Sequence, residues 1–272
     1  MATLTVTKTE DDLARAAAER ITSIVEHAIA ARGSAVVSLT GGGTPRRLYS
    51  LLADDAFGWR GRIDWARLHL FWGDERHVPP AHRDSNFGMA EEALLRHVPA
   101  VASQVHRMRG EMPDAHEAAR DYERELRDGF AAAGRTDLTF DLMLLGLGAD
   151  AHIASIFPGS ELLEWRPVKG RPTVRNDTES VGRGFMPRQQ IVAAIWAPHL
   201  NAWRITLTPR ALLDALAIVM VTAGQSKADA VHAAIEDPLD VSRWPAQLLR
   251  DAGDRVEWIL DRAAASRLTD SR

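Results

Sequence analysis

The sequence contains no cysteine, which excludes disulfides, thiolate catalysis, iron–sulfur clusters and thiolate zinc sites. It also lacks any apolar run long enough for a membrane span, so we predict no membrane-spanning helix. The N-terminal segment soon becomes charged and has no apolar core of signal-peptide length. We therefore expect a cytoplasmic protein that does not associate with membranes.

A surplus of positive charge is missing as well. The chain has 33 Lys and Arg residues against 37 Asp and Glu residues, a formal net charge of -4 at pH 7, and the basic residues are dispersed. This distribution argues against nucleic acid or an anionic membrane as a partner. The Gly-x-Ser-x-Gly elbow of a nucleophilic serine is also absent. A local basic pocket for a small anion remains compatible with the composition.

The chain is long enough for a sizeable core. Its 272 residues, 46% of them hydrophobic, need no structural metal for folding. Length alone fits one large domain or two small ones. The only candidate linker, residues 165–184, is rich in Pro, Gly and polar residues, and a loop of that length is often functional or mobile. Strands and helices alternate elsewhere, and we predict a single α/β domain over residues 1–272.

Hydrophobic spacing predicts the secondary structure, because helices show a period near four and buried strands read as short apolar runs. The predicted helices are residues 11–31, a helix from Ser85-Asn86 to about His97, and residues 115–133, with further starts at Thr44-Pro45, Pro209, Ser226 and Asp261. The predicted strands are residues 35–40, 68–72, 140–145, 191–196, 204–207, 217–222 and 256–260. This alternation predicts an α/β fold, an open, mainly parallel twisted sheet with helices on both faces, Rossmann-like in architecture.

In such a sheet, ligands bind beyond the carboxyl ends of the strands, and four predicted strand ends carry reactive or anion-binding residues. The first is TGGGTP at residues 40–45. Its glycines let backbone N–H groups approach a ligand, and the helix start behind them adds partial positive charge, so the turn fits a phosphate. It is neither a Walker loop nor a dinucleotide turn. The alternative is a tight strand-to-helix turn without a ligand.

The second strand end is GDERHVP at residues 73–79, which crowds two carboxylates, a guanidinium and an imidazole together. Arg76 has the donor geometry to grip a carboxylate, a phosphate or a developing oxyanion. Asp74 is a further candidate for contact with a substrate. The alternative is a solvated cluster whose charges pair with each other.

The third strand end is GLGADAHIAS at residues 146–155, where His152 follows a strand and two glycines. We predict that His152 lies in the first turn of a helix. An imidazole is the usual general base near neutral pH, and Asp150 can orient it or hold substrate. Because no second imidazole is near, we expect no metal site. The alternative for His152 is a packed or surface residue.

The fourth strand end is TAGQSKA at residues 222–228, again a strand, a glycine and a helix start. Lys227 falls in the opening turn, where its ammonium group and the backbone N–H groups can share one phosphate. The alternative is an exposed lysine at a helix start, which the helix dipole mildly disfavours.

In order and spacing, these segments resemble the 6-phosphogluconolactonases, within the wider superfamily of sugar-phosphate isomerases and glucosamine-6-phosphate deaminases. The matching stretches include LTGGGTPRRLY, FWGDERHVPPAHRDSNFGMAEEALL, FDLMLLGLGADAHIASIFPGS, RITLTPRALLDA and VTAGQSKADAVHAAIEDP. GDERHVP followed by SNFG is specific for the lactonases within the superfamily, whereas the glycine loop alone is not.

The resemblance implies hydrolysis of 6-phosphogluconolactone, the second step of the oxidative pentose phosphate pathway, without a metal or an organic cofactor. It implies that His152 activates water and that Asp150 and Arg76 hold the sugar and the lactone end. The residues that it implies for phosphate binding are Gly42, Gly43, Thr44, Lys227 and Arg204. The expected partner is therefore a sugar-phosphate lactone, and we expect a monomer or a weak homodimer.

The sequence departs from the usual pattern of the family in three places. Ala151 replaces the glycine that commonly separates the Asp and the His, at a cost of ~1 kcal/mol if the position needs positive φ. Gly43 stands where a serine often supplies a hydroxyl, and the stretch before Arg204 is longer and more basic than usual. Two rival interpretations stay open. One is an isomerase or deaminase that moves protons with His152 and Asp74, and the other is a sugar-phosphate sensor without catalysis.

Overall fold

The computed structural model describes residues 2–165 and 190–269. Its strands are β1 (Thr3–Thr7), β2 (Ala35–Leu39), β3 (Leu68–Trp72), β4 (Asp74–Arg76), β5 (Leu142–Leu145), β6 (Val192–Ala197), β7 (Ala202–Leu207), β8 (Ile218–Thr222) and β9 (Val256–Asp261). Its α-helices are α1 (Glu10–Arg32), α2 (Gly43–Ala53), α3 (Trp59–Arg62), α4 (Asn86–Ala93), α5 (Ala115–Ala132), α6 (Pro209–Leu213) and α7 (Ala228–Ile235). Short 3-10 turns complete several connections.

Six strands form one sheet in the order β1-β9-β8-β5-β2-β3, and every pairing within it is parallel. The chain places β3 on one side of β2 and β5 on the other side, so the direction of strand addition reverses between β2 and β5. Loops that leave a sheet at such a switch point diverge and open a crevice beyond the carboxyl ends of the strands. The predicted mainly parallel α/β sheet is confirmed, and its switch point shows where a ligand fits.

A second, three-stranded sheet has the order β4-β7-β6 and is antiparallel. The prediction had grouped residues 191–196 and 204–207 with the parallel sheet, and for these strands it is wrong. The connection between β6 and β7 consists of residues 198–201, whereas a parallel crossover needs about a dozen residues or more. Asn201 closes the hairpin with a left-handed φ of 47°.

Side chains that alternate along the parallel strands build two hydrophobic layers. Val36 and Leu145 belong to the layer that contains the buried face of α5, and Val37 and Leu144 belong to the layer that contains α1 and α2. Helices therefore cover both faces of the sheet, as predicted. Burial on both faces explains why these strands read as continuous apolar runs.

Most predicted helices are confirmed to within a few residues, with two differences. Helix α4 ends at Ala93, and His97 lies in a separate 3-10 turn. No helix begins at Asp261, since residues 262–267 form turns, and the Asp261 carboxylate accepts the N–H groups of Gly224 and Ala264. Strand β1 was not predicted, and it is a short edge strand whose apolar residues are exposed.

Two further sequence predictions concern membrane-spanning helices and the linker. In residues 2–165 and 190–269, no helix is long and apolar enough to cross a bilayer. Most of the predicted linker, residues 166–184, lies outside the described residues.

Candidate active site

A pocket of about 260 Å³ opens beyond the carboxyl ends of β8, β5, β2 and β3, four adjacent strands at the switch point. Each strand contributes residues that follow it or lie at its end. These are residues 40–45 after β2, Asp74 and Arg76 after β3, residues 146–148 and His152 after β5, and residues 221–223 and 227 around the end of β8. All four segments singled out in the sequence therefore meet at one pocket.

The structure brings most of the predicted site residues into the pocket wall. The lining members are Gly42, Gly43, Thr44, Asp74, Arg76, His152 and Lys227. Asp150 and Arg204 lie beside the wall, because Asp150 bonds to the His152 ring and Arg204 pairs with Arg76 across β7 and β4. In the part of the chain that the structure describes, no group of three or more His, Asp or Glu side chains is placed to hold a metal ion.

The glycine loop between β2 and α2 forms the donor end of the pocket. Gly42 has a φ of 116° and a ψ of 171°, a conformation that a side chain strongly disfavours. Gly41 has no room for a Cβ, which would overlap Asn86 Oδ1. Gly43 and Thr44 form the first turn of α2, whose free N–H groups and dipole favour an anion. This end therefore offers hydrogen-bond donors from the backbone.

The two tyrosines of the chain fix strand ends next to the pocket. The Tyr49 hydroxyl accepts from the Thr40 N–H at 3.0 Å and donates to the Thr40 carbonyl at 2.8 Å. The Tyr122 hydroxyl bridges the N–H and carbonyl of Trp72 in the same way, at 2.8 and 2.9 Å. Burial raises the pKa of both phenols, so both hydroxyls stay neutral and keep donating. The backbone that leads into the glycine loop and towards Asp74 is thereby held in place.

Lys227 brings a cation to the same pocket from the 3-10 turn Gln225–Lys227, directly before α7. Its ammonium group forms no salt bridge with any residue that the structure describes. Burial lowers the pKa of Lys227, and the charge of Asp150 opposes that shift. A half-buried cation without an ion-pair partner is suited to bind an anionic ligand group.

His152 lies in an irregular loop rather than in the first turn of a helix, so that part of the prediction is wrong. Its Nδ1 is 2.5 Å from Asp150 Oδ1. Because a carboxylate only accepts hydrogen bonds, Nδ1 carries the hydrogen and Nε2 keeps its lone pair. No described residue forms a hydrogen bond with Nε2. The arrangement therefore presents Nε2 as a base that is free to meet a ligand.

The Asp150 carboxylate remains ionised across the neutral pH range. Burial alone would raise the pKa of Asp150, but the hydrogen bond from His152 and the charge interaction with His152 lower that pKa to about 2. The carboxylate thus continues to accept the Nδ1 hydrogen and to favour the tautomer with a free Nε2.

The loop that carries His152 has an unusual backbone. Ala151 and Ala154 adopt left-handed φ values of 60° and 48°, a conformation that costs a residue with a Cβ roughly 1 kcal/mol. The position of Ala151 does need positive φ, as the departure from the family pattern suggested. A Cβ on Gly148 would overlap the His152 ring. The centroid of the Phe157 ring lies 4.6 Å from the centroid of the His152 ring. The ring is therefore packed against Gly148 and Phe157, while 32% of the His152 side chain stays exposed.

Asp74 and Glu75 tie the start of β4 to the start of α4. The buried Asp74 carboxylate accepts hydrogen bonds from Ser155 Oγ at 2.6 Å and Asn86 Nδ2 at 3.2 Å. The Glu75 carboxylate accepts the N–H groups of Asn86 and Phe87 at 2.7 and 2.8 Å. Burial raises the pKa of Glu75, and these backbone donors oppose the shift. Glu75 thus holds the local structure, while Asp74 lines the pocket.

Arg76 and Arg204 lie side by side, since they are direct partners across β4 and β7 and such partners project from the same face of a sheet. Arg76 Nη1 donates to the main-chain oxygen of Asp84, and Arg204 Nη1 donates to that of Trp203 at 3.1 Å. Neither guanidinium forms a salt bridge with a described residue. Burial and the charge of Arg76 lower the pKa of Arg204. Positive charge is therefore concentrated at the edge of the pocket, although Arg204 does not line it.

Sequence reasoning missed Asn86, Ser155 and Phe157 as parts of the site. All three lie in the stretches that carried the resemblance, SNFG and ASIFPG. Their roles depend on contacts with Asp74 and His152, and the local sequence does not reveal such contacts.

A parallel α/β sheet whose switch point carries a glycine loop, a half-buried lysine and an oriented imidazole is suited to bind a small anionic ligand and to move a proton on it. The model of the family described as "Glucosamine-6-phosphate isomerases/6-phosphogluconolactonase" matches residues 8–258, and the chain belongs to this family. The resemblance found in the sequence is thereby confirmed.

Individual relatives agree with this family. The chain is 36% identical over 264 residues to the 6-phosphogluconolactonase of Mycobacterium tuberculosis, and the aligned region covers 95% of each chain. It is 33% identical over 249 residues to that of Synechocystis sp., covering 91% of this chain and 90% of the relative. The solved structure of 6-phosphogluconolactonase from Trypanosoma brucei has a TM-score of 0.77 and 28% identity, with 98% of this chain and 99% of that chain covered. A monomeric glucosamine-6-phosphate deaminase, at 19% identity and a TM-score of 0.74, shares the fold.

Proposed function

We propose that this protein hydrolyses 6-phospho-D-glucono-1,5-lactone to 6-phospho-D-gluconate, the second step of the oxidative pentose phosphate pathway. The observation that carries the proposal is that His152, with Nε2 free, shares one pocket with the glycine loop and Lys227. Relatives named 6-phosphogluconolactonase, at 36% and 33% identity, support the same reaction. The proposal includes no metal and no organic cofactor.

The phosphate of the substrate binds at the donor end in this proposal. The amides of Gly42, Gly43 and Thr44 and the ammonium group of Lys227 supply hydrogen bonds and positive charge. The Thr44 hydroxyl lies 3.4 Å from Glu10 Oε1, so the main chain is the principal donor of this residue. Binding energy from the distant phosphate fixes the lactone ring against the imidazole. Arg204, which lies beside Arg76, contributes further positive charge to this binding.

The chemical step needs a base, a positioned water and a site for the developing charge. His152 Nε2 removes a proton from water while the water oxygen attacks the lactone carbonyl carbon, and general base catalysis of this kind typically contributes ~10²–10⁴-fold. Asp150 stabilises the imidazolium that forms, because its carboxylate accepts the Nδ1 hydrogen. Arg76, or backbone N–H groups near Gly148, face the negative oxygen of the tetrahedral intermediate.

Collapse of the intermediate completes the reaction. The bond between the carbonyl carbon and the ring oxygen breaks, and the ring oxygen takes the proton from the His152 imidazolium and becomes a hydroxyl. Collapse forms a carboxylic acid at the carbon that was attacked, which loses its remaining proton to solvent and leaves as a carboxylate, and His152 returns to its starting form. Water is thus the only co-reactant.

The experiment that tests the proposal compares the wild type with His152→Ala on freshly generated 6-phosphogluconolactone, with the spontaneous rate subtracted. We expect the variant to lose turnover by ~10²–10⁴-fold. His27→Ala is a suitable control, because His27 is an exposed residue of α1. A wild type no faster than the spontaneous reaction would remove the enzyme assignment.

The rival activity in the same family is isomerisation or deamination of a sugar phosphate. It is favoured by one observation, the buried Asp74 carboxylate in the wall of the pocket that also holds His152. Ammonia release from glucosamine 6-phosphate would identify it.

We also propose that residues 1–272 act as a single domain, as a monomer or a weak homodimer, in the cytoplasm.

A further inference from the structure

Asn86 is a lining residue of the pocket that the proposed mechanism does not use. It is the first residue of α4, which Ser85 caps, and only 2% of its surface is exposed. Its Nδ2 donates to the main-chain oxygen of Asp74 at 2.9 Å and to Asp74 Oδ1 at 3.2 Å. The Asp74 carboxylate in turn accepts a hydrogen bond from Ser155 Oγ. The side-chain amide of Asn86 is therefore bound to a partner that is itself held in place.

The orientation of this amide follows from the chemistry of its partners. A main-chain carbonyl and a carboxylate can only accept hydrogen bonds, so the NH₂ group must face Asp74 and the oxygen must face away from it. Asn86 Oδ1 lies against Gly41, where a Cβ would overlap it. No donor in residues 2–165 and 190–269 forms a hydrogen bond with this oxygen. Because Asn86 lines the pocket, this oxygen is an acceptor without a described protein donor and is available to pair with a ligand group.

The type of ligand group follows from the chemistry of the oxygen. An amide oxygen only accepts hydrogen bonds, and an ionised phosphate offers none to donate. A secondary hydroxyl of a sugar ring is a donor of the right kind. The pocket thus contains two different walls, a donor wall at the glycine loop and Lys227 and an acceptor position at Asn86 between that loop and Asp74.

We propose that Asn86 Oδ1 accepts a hydrogen bond from one ring hydroxyl of the bound sugar lactone and thereby selects hydroxylated substrates over their deoxy analogues. This inference rests on the proposed function, since it concerns the substrate of that same pocket. Asp74 acts as the positioning residue for Asn86, because its main-chain oxygen and its carboxylate both accept from Asn86 Nδ2.

The test is a cycle of enzyme variants and substrate analogues. The substrates are 6-phosphogluconolactone and its 2-deoxy, 3-deoxy and 4-deoxy counterparts, and the enzymes are the wild type and Asn86→Ala. We expect the wild type to lose about tenfold or more in kcat/KM with one of the three deoxy lactones. Asn86→Ala should lose a similar factor with the parent lactone and show no further loss with that one analogue.

A matched control separates recognition from positioning. Ser155→Ala removes the other hydrogen bond of the Asp74 carboxylate and leaves Asn86 Oδ1 in place. Whatever its overall rate, Ser155→Ala should still discriminate between the parent and the sensitive deoxy lactone. If Asn86→Ala does not fold, Asn86→Ser replaces it, because serine fills part of the volume and its hydroxyl, one bond nearer the backbone, does not reach the position of Oδ1 against Gly41.

The proposal is overturned if the ratio of wild-type to variant kcat/KM is the same for the parent and for all three deoxy lactones. A wild type without lactonase activity is a different failure, because it removes the proposed function. In that case, calorimetric titration with 6-phosphogluconate and its deoxy analogues measures the selectivity of Asn86 by binding alone, and equal affinities of the wild type for all four would contradict the proposal.

Discussion

The two ends of the pocket are built by different means. The donor end consists of the glycine loop at the start of α2 and of Lys227 before α7, so backbone N–H groups and one cation form it. The base end consists of His152 in an irregular loop, oriented by Asp150 and enclosed by Gly148 and Phe157. In the proposed function, binding and chemistry thus depend on separate structures, so damage to one end should leave the other largely intact.

Among substitutions that keep the His152 imidazole, the largest effect is expected from Gly148→Ala. The added Cβ would overlap the His152 ring and Asp150 Oδ1, so the ring must move. A displacement of about 1 Å at a reacting group can cost ~10²-fold in rate. We expect kcat to fall by about that factor while KM changes little, as measured by steady-state kinetics on the lactone.

Gly61→Ala is the matched control for this substitution. Gly61 lies in α3, and a Cβ there has no neighbour within 4 Å. A Gly148→Ala protein with wild-type kcat would show that the ring position does not limit turnover.

The next effect concerns the donor end. Lys227→Ala removes the half-buried cation of the pocket, and a hydrogen bond to a charged group contributes about 1.5–3 kcal/mol. We therefore expect KM to rise by ~10- to 100-fold with little change in kcat. Lys8→Ala, an exposed lysine between β1 and α1, should leave both constants unchanged. A loss of kcat at constant KM would place Lys227 in the chemistry instead.

A pH dependence of binding follows from the same lysine. The ammonium group carries its charge below its pKa, and burial lowers the pKa of Lys227 in the free protein. Affinity for 6-phosphogluconate should therefore begin to fall, as pH rises, below the ~10.4 of an ordinary lysine. Lys227→Arg, whose guanidinium stays charged, should flatten this alkaline limb in calorimetric titrations. An unchanged limb in the variant would assign the pH dependence to another group.

The smallest effect is expected from Ala151→Gly at the base end. Ala151 has a φ of 60° and is fully buried, and relief of the left-handed strain should stabilise the folded state by up to ~1 kcal/mol. This corresponds to a rise in Tm of ~2 °C for a protein of this size. Ala90→Gly, an equally buried position inside α4, should lower Tm instead. A lower Tm for Ala151→Gly would mean that its methyl group contributes more by packing than it costs in strain.

The difference between the two ends also explains how far sequence reasoning could go. The donor end was predicted because its signals are local: a strand, glycines and a helix start stand next to each other in residues 40–45 and again around Lys227. The base end was predicted only in part. His152 and Asp150 were identified as a pair, but the helical turn proposed for His152 was wrong, because the loop conformation depends on left-handed residues and on packing against Phe157.

The remaining errors have the same origin in long-range contacts. The antiparallel sheet of β4, β7 and β6 could not be distinguished from the parallel sheet by apolar runs alone. Asp261 looked like a helix cap, yet it caps a turn and also bonds to Gly224, 37 residues away. Asn86 lies in a motif that carried the resemblance, but only its contact with Asp74 shows which way its amide points.

The most direct test of the central claim is to measure product binding and turnover separately in His152→Ala and Lys227→Ala. If binding and chemistry occupy different ends of one pocket, His152→Ala binds 6-phosphogluconate with near wild-type affinity in calorimetry and hydrolyses the lactone at ~10²–10⁴-fold lower kcat. Lys227→Ala then shows the reverse, with weak binding and near wild-type kcat. Loss of both properties in both variants would show that binding and chemistry are not separated between the two ends.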